Sequence, residues 1–260
     1  MIKCVHGRTK AWEVLNISLR LFLLSLGWRV HVNQFSYKEI YLEAGQNVLE
    51  VNILPEKYCN FDCIFCPIGR SNKQIDNTQS FENTQEAIDH LSEILDENKV
   101  DLVFINSAGE AIIHERIEDI IKTIHDKEVA VRLLSNGYLL NNEKYIEIAN
   151  KCEEVIGEVK AITEEDFKKL QRPIEGYTLE NHLNSLIEFN RQFHGKFILE
   201  ITVIKGYNDD EKSIQKLEEL IKKIDAEKLI VITMDGPFEK KLGVTDNQLK
   251  IIRKRLESVK

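Results

Sequence analysis

The run "VLEVNILPEKYCNFDCIFCPIGR", Val48 to Arg70, decides how the rest of the chain is read. Its first seven residues, 48–54, are rich in valine, isoleucine and leucine, as a buried strand requires. Directly behind them Cys59, Cys63 and Cys66 fall within eight residues, in a chain with only two other cysteines. A strand that delivers a thiol cluster onto the following loop looks like the start of a β-α unit whose chemistry sits at the carboxyl end of the strand.

From residue 48 onward, β-rich runs alternate with runs of helical period. Strands are expected at 101–107, 129–136, 154–160, 196–206 and 228–234, and helices at 83–95, 115–125, 143–150, 164–171, 179–193, 210–224 and 246–258. The second helix carries a stripe of Ile117, Ile120, Ile121 and Ile124. Asn83 with Glu86, and Thr245 with Gln248, have the spacing of capping boxes. Six such units in series predict an α/β fold with a parallel sheet buried on both faces. Six units are too few for an eight-unit barrel, so a partial (β/α)6 TIM-like barrel is expected, its site at the carboxyl ends of the strands. Residues 1–47 stand outside this rhythm, as an N-terminal helical/β extension that plugs or edges a barrel domain at 48–260.

With 43% hydrophobic and 30% charged residues among 260, the chain has the composition of a soluble globular protein. Its formal net charge of −8 disfavours a nucleic-acid partner unless a local basic patch exists. The most apolar stretch, Leu15 to Trp28, is interrupted by Arg20 and falls short of the roughly 20 residues a transmembrane helix needs; it reads as a docked helix. No small-residue cleavage site follows it. An odd cysteine count with three clustered excludes a secreted disulfide framework and suits a reducing cytoplasm.

Structural zinc takes four protein ligands, commonly in paired C-x-x-C halves, and the second half is missing here. Three thiolates fit an iron–sulfur cubane better, with one iron left open to an exogenous ligand. Several polar residues fall at or beside the ends of expected strands. Gly109 and Glu110 follow the second. Ser135 and Asn136 end the third, either as turn formers or as hydrogen-bonding partners for a ligand. Lys160 closes the fourth, reaching solvent or a carboxylate. Glu200 lies within the fifth, where a carboxylate among apolar neighbours is either paired or functional. Lys205, Gly206 and Asn208 lie at the end of that strand. The segment 233–243, with Asp235 and Glu239, reads as a solvated loop or a cover for the barrel mouth.

C-x3-C-x2-C with an aromatic residue, Phe65, before the last cysteine resembles the signature of the radical S-adenosylmethionine superfamily, over about residues 48–234. The resemblance implies a [4Fe-4S] cluster on Cys59, Cys63 and Cys66, with S-adenosylmethionine on the open iron. It further implies reductive cleavage to a 5′-deoxyadenosyl radical and hydrogen abstraction from a substrate that the sequence does not identify. "SAGEAIIH" (107–114) resembles the GGE-type motif, with Ala108 in place of a glycine; Gly109 and Glu110 would then hold the methionyl ammonium. Phe65, Ser135, Asn136, Lys160 and Glu200 would complete the cofactor site. An external one-electron donor of flavodoxin or ferredoxin type is implied as a partner.

Within the superfamily, "CNFDCIFC", "LLSNGYLL", "EVK", "QRP" and "GKFILEITVIKGYND" are similar to the wyosine-synthase-like group. Departures are "KAIT" where that group has K-L-D-A, and the absence of its second three-cysteine set. A glycyl-radical-enzyme activase acting on a protein partner is an alternative. A structural or electron-transfer iron–sulfur protein is the alternative outside enzymes.

Overall fold

The computed structural model describes residues 28–30, 35–70 and 74–260. The expected N-terminal helix and Cys4 lie outside the described residues, except Trp28, which opens a strand. One sheet of nine strands organises the chain. Strands β1 (Trp28–Val30), β2 (Ser36–Lys38) and β3 (Tyr41–Glu43) are antiparallel additions; β1 pairs β2, and both β2 and β3 pair β4 (Gln46–Asn52). From β4 the strands run parallel and in sequence order through β5 (Leu102–Ile105), β6 (Ala130–Ser135), β7 (Glu154–Val159), β8 (Lys196–Val203) and β9 (Lys228–Thr233). These six parallel strands are the expected partial barrel.

Between them lie α1 (Thr84–Glu97), α2 (Ile117–His125), α3 (Glu143–Ala149), α4 (Leu179–Gln192) and α5 (Glu211–Ile224), and α6 (Asp246–Glu257) follows β9. All four isoleucines of the α2 stripe are buried. The Thr245–Gln248 capping box is formed. The one at Asn83 is not: Asn83 stands at φ 58° with no side-chain cap. That left-handed conformation, which Asn tolerates, differs from the extended backbone a capping side chain needs.

The expected helix at 164–171 is a single α turn, Glu164–Asp166, continued by a π turn, Phe167–Gln171, and closed by Arg172 at φ 42°. Pro173 disfavours α geometry in the residue before it. The carbonyls of residues 170–172, at the end of this turn, have no partner within the helix, and the cysteine loop uses them.

The two faces of the sheet differ. One face, with Val51, Val103, Val131, Val155, Leu199 and Val231, packs with the helix stripes into a continuous core. The opposite face was expected to be equally apolar and is not. In one register row it carries Glu50, Phe104, Arg132, Glu154 and Lys196. Leu134, Ile156 and Ile198 form the next row, and Glu158 and Glu200 lie beyond it. The physical reason is that a partial barrel leaves this face as a chamber instead of covering it with helices.

Arg132 closes the lower end of the chamber. It donates to Glu154 at 2.5 Å and to Glu43 at 2.8 Å, and lies 5.5 Å over the Phe104 ring. In a flat sheet three strand spacings, about 14 Å, would separate β3 from β6; the direct Glu43–Arg132 bond shows that the sheet curls. Only 9% of the Arg132 side chain is exposed, so removing it leaves Glu43 without its cation and Glu154 with Lys196 alone. Arg132→Met is expected to lower stability by about 1–2 kcal/mol in urea titrations, less than the cost of breaking a fully buried pair because Glu43 is 39% exposed and Glu154 keeps Lys196. A loss below 0.5 kcal/mol would show that the clamp is not structural.

Candidate functional site

At the upper end of β4 the chain is pinned before it enters the cysteine loop. The Asn52 side chain accepts from the Leu54 and Ala108 N–H groups at 3.1 and 2.9 Å and donates to Ser36. This sets residues 53–58 alongside 107–110, where Tyr58 and Gly109 form a parallel bridge and Glu110 N–H donates to Tyr58 O at 2.8 Å. A Cβ on Gly109 would sit 1.9 Å from that carbonyl oxygen. Glycine is required there by a close backbone approach.

The loop itself has little regular structure and borrows its hydrogen bonds. Ile64 N–H donates to Leu170 O at 2.8 Å, and Asp62 N–H to the Gln171 and Arg172 carbonyls at 3.0 and 3.2 Å. Gln74 reaches the Asn60 and Arg172 carbonyls. Lys57 and Arg70, at the two ends of the loop, both bind the Asp62 carboxylate, at 3.3 and 2.5 Å. Phe61 fills the space beneath, edge-on to Tyr138, Phe167 and His182 with centroids 5.5–5.9 Å away.

Cys59, Cys63 and Cys66 are free thiols, each half-buried. Burial pushes the Cys59 thiol up and the Cys63 thiol up to about 12. As the side chains stand, the described residues bring no three of His, Cys, Asp or Glu into a metal-holding arrangement. The donor set nevertheless fits an iron–sulfur cluster: three soft thiols on one loop, with no fourth protein ligand beside them among the described residues.

Facing Cys59 is a polar group built from three strands. Glu110 is fully buried. Its Oε2 accepts Asn136 N–H at 2.9 Å, and its Oε1 has no partner. Burial pushes its carboxyl up to about 7, against hydrogen bonds from Asn136 and Ser135 that pull it down. The Asn136 side chain donates to Asn60 Oδ1 at 2.6 Å and lies 3.7 Å from Cys59 Sγ. His182 Nε2 is 2.7 Å from Asn136 O; a carbonyl only accepts, so Nε2 carries the proton and Nδ1 is left unpartnered. The structure thus brings Gly109, Glu110, Ser135 and Asn136 together with the first cysteine. Asn60 and His182 belong to the same group and gave no motif signal in the sequence.

Lys160 and Glu200 sit apart from that group, on the chamber face of β7 and β8. Lys160 pairs with Glu158, and Glu200 hydrogen-bonds Glu158. Lys160 is raised despite burial because Glu158, which it also hydrogen-bonds, and Glu200 lie beside it. Phe65 is 3% exposed and packs with Leu170, Ile204 and Leu242. Leu242 belongs to the segment 233–243, which folds back over the end of β8 through Lys205 N–H to Leu242 O at 2.8 Å. Asn208 is structural in its contacts: it accepts Ile204 N–H and donates to the Lys160 and Thr202 carbonyls, joining β7 to β8.

A family model described as the Radical SAM superfamily matches residues 53–237. Among curated proteins the chain is 26% identical to a protein of Brachyspira hyodysenteriae named GTPase Obg, over 82% of this chain and 32% of that one. It is 25% identical to a UPF0026 protein of Helicobacter pylori, over 73% of this chain and 62% of that one. It therefore spans between about a third and two thirds of the length of these relatives. Solved structures with the same fold include TYW1 with a lysine-pyruvate adduct bound, at TM-score 0.69 and 15% identity over 97% of this chain and 90% of that one. Another is Streptococcus suis SuiB bound to S-adenosylmethionine, at TM-score 0.58 and 15% identity over 78% and 45%.

Two outcomes follow from the geometry. Gly109→Ala must push the Tyr58 backbone away, so iron incorporation on anaerobic reconstitution is expected to fall severalfold while the circular dichroism stays native; wild-type loading would refute the close approach. Burial also depresses His182 to about 4. The unfolded state, with an ordinary value near 6.5, then takes up the proton first, and stability held by neutral His182 is lost as pH falls from 6.5 towards 4, by about 3 kcal/mol at the end of that window. The stability difference between wild type and His182→Gln should shrink across this window, and a difference independent of pH would contradict the assignment.

Proposed function

The chain belongs to the radical SAM superfamily, a family of enzymes that use a [4Fe-4S] cluster and S-adenosylmethionine, and from that premise we propose that it generates a substrate radical at the loop of Cys59, Cys63 and Cys66. The bound cofactors would supply one electron to the S–C bond of S-adenosylmethionine, giving a 5′-deoxyadenosyl radical that takes hydrogen from the substrate. The observation that carries this reading is Glu110: a carboxylate buried beside Cys59, with one oxygen held by Asn136 N–H and the other unpartnered.

An unpartnered buried carboxylate oxygen is costly unless a donor completes it, and an ammonium does so with a charge-assisted bond. Glu110, set by the Gly109 approach, is the acceptor for the methionyl ammonium. Ser135 and Asn136 supply further hydrogen bonds, and Lys160 an ammonium for a carboxylate. Phe65 contributes apolar surface behind the thiols. The cysteine loop, held by backbone bonds to the π turn, shields the chamber from water on that side. An external one-electron donor is needed, because the electron spent on the S–C bond must be resupplied from outside the protein. The net charge of −8 argues against a nucleic-acid substrate.

The superfamily is one of enzymes, which sets aside the purely structural or electron-carrying cluster. One relative's GTPase name has no counterpart here, since no G-x4-G-K-[S/T] run exists in the sequence. Among the described residues no helix is long and apolar enough to cross a membrane.

Anaerobically reconstituted protein given dithionite and S-adenosylmethionine is expected to form 5′-deoxyadenosine. Cys63→Ala should load little iron and lose that product at least a hundredfold. A fully loaded cluster that yields none would overturn the assignment.

A further inference from the structure

Glu158 and Glu200 are register partners on neighbouring strands, with both side chains on the chamber face. Like charges directly opposed across a sheet destabilise it unless a cation or a proton lies between them. Burial and the facing Glu158 push the Glu200 carboxyl up to about 7. Lys160 is the cation that acts on Glu200, and it is already paired with Glu158. One ammonium therefore serves two carboxylates, and the site is short of one positive charge.

A second, independent feature lies next to them. Thr202 follows Glu200 by two residues, which places it on the same face about 7 Å along the strand. It is 2% exposed, and its hydroxyl has no hydrogen-bond partner. Around these polar groups the chamber is aliphatic: Ile230 and Ile232 are the β9 partners of Glu200 and Thr202, and Ile156 and Ile198 lie in the row beneath.

We propose that Glu158, Glu200 and Thr202 bind a protonated amine or guanidinium carried on an aliphatic stem of the substrate, a substrate class that rests on the chamber being the reaction site. An ammonium has three donors and no acceptor, and a guanidinium has five. Two carboxylate acceptors and a hydroxyl match the smaller group, and the larger one adds a bidentate fork. Such a cation supplies the missing charge and gives Thr202 Oγ1 a donor. A carboxylate or phosphate in the same place would meet two like charges. The site is distinct from the Glu110–Asn136 group, which lies on the segments after β5 and β6.

The test uses three probes of one size and different charge on anaerobic, cluster-loaded, S-adenosylmethionine-bound protein: n-pentylammonium, 1-pentanol and pentanoate, followed by calorimetry. The ammonium is expected to bind at least tenfold more tightly than either of the others. Glu200→Gln should weaken it by tenfold or more, and Thr202→Val, which keeps the shape, by about threefold. Equal binding of the three probes, preference for pentanoate, or wild-type affinity in both variants overturns the proposal. 5′-Deoxyadenosine formation is read separately on the wild type. Formation without ammonium selectivity defeats this inference alone, and selectivity without formation defeats only the radical reading.

Discussion

The structure depends on one close approach, the passage of Gly109 against the Tyr58 carbonyl. The cysteine loop has no ladder of its own, so its place is fixed by hydrogen bonds it makes to other segments. The Tyr58–Glu110 bond anchors its start, and the carbonyls of residues 170–172 anchor its middle. Both anchors are backbone groups, which fix direction as well as distance. A side chain at 109 would break the first. The cluster loop is positioned by the close backbone approach at Gly109 and by the unpaired carbonyls where the turn at 167–171 ends before Pro173.

The same bond fixes the neighbouring carboxylate. Because Glu110 N–H is spent on Tyr58 O, the residue's orientation is set by the loop it faces. Its carboxyl then reaches Asn136 N–H across the end of β6. His182 holds Asn136 from the opposite side through the backbone carbonyl, and the Asn136 amide turns towards Asn60 and Cys59. Loop, acid and amide thus form one mechanical unit spanning three strand ends, and a shift in any one moves the others.

Much of this was legible. The thiol cluster, the strand before it and the alternation of elements are patterns of spacing, and spacing survives folding. Strand β7 shows where the reading fell short. "EVIGEVK" reads as a buried strand, yet Glu154, Glu158 and Lys160 all fall on alternate positions, a period-2 polar face within an apolar run. Lys196 and Glu200 repeat it in β8. Five polar residues in phase on two strands were the signal that one face is a chamber. The contribution of Asn60 and His182 was not legible, because each acts through a backbone or side-chain contact with a residue more than 40 positions away. The π turn was hidden for a related reason: the apolar spacing of 164–171 fits an α-helix, and the carbonyls at its end matter only to a loop about 100 residues earlier.

The chamber's charges are separated by height, and this bears on how one sheet serves both stability and chemistry. At the lower end Arg132 and Lys196 neutralise Glu154, and Arg132 also neutralises Glu43, in bonds of 2.5–3.0 Å; these groups have the partners they need. The aliphatic row of Leu134, Ile156 and Ile198 isolates them from the upper end. Above that row Glu110 Oε1 and Thr202 Oγ1 lack partners, and Glu158 and Glu200 share one lysine. Unsatisfied groups cost stability wherever they are buried. Their concentration at the cysteine end, with satisfied pairs at the other, is the distribution expected of a fold that closes one mouth of its barrel with ion pairs and leaves its uncompensated polar atoms where ligands enter.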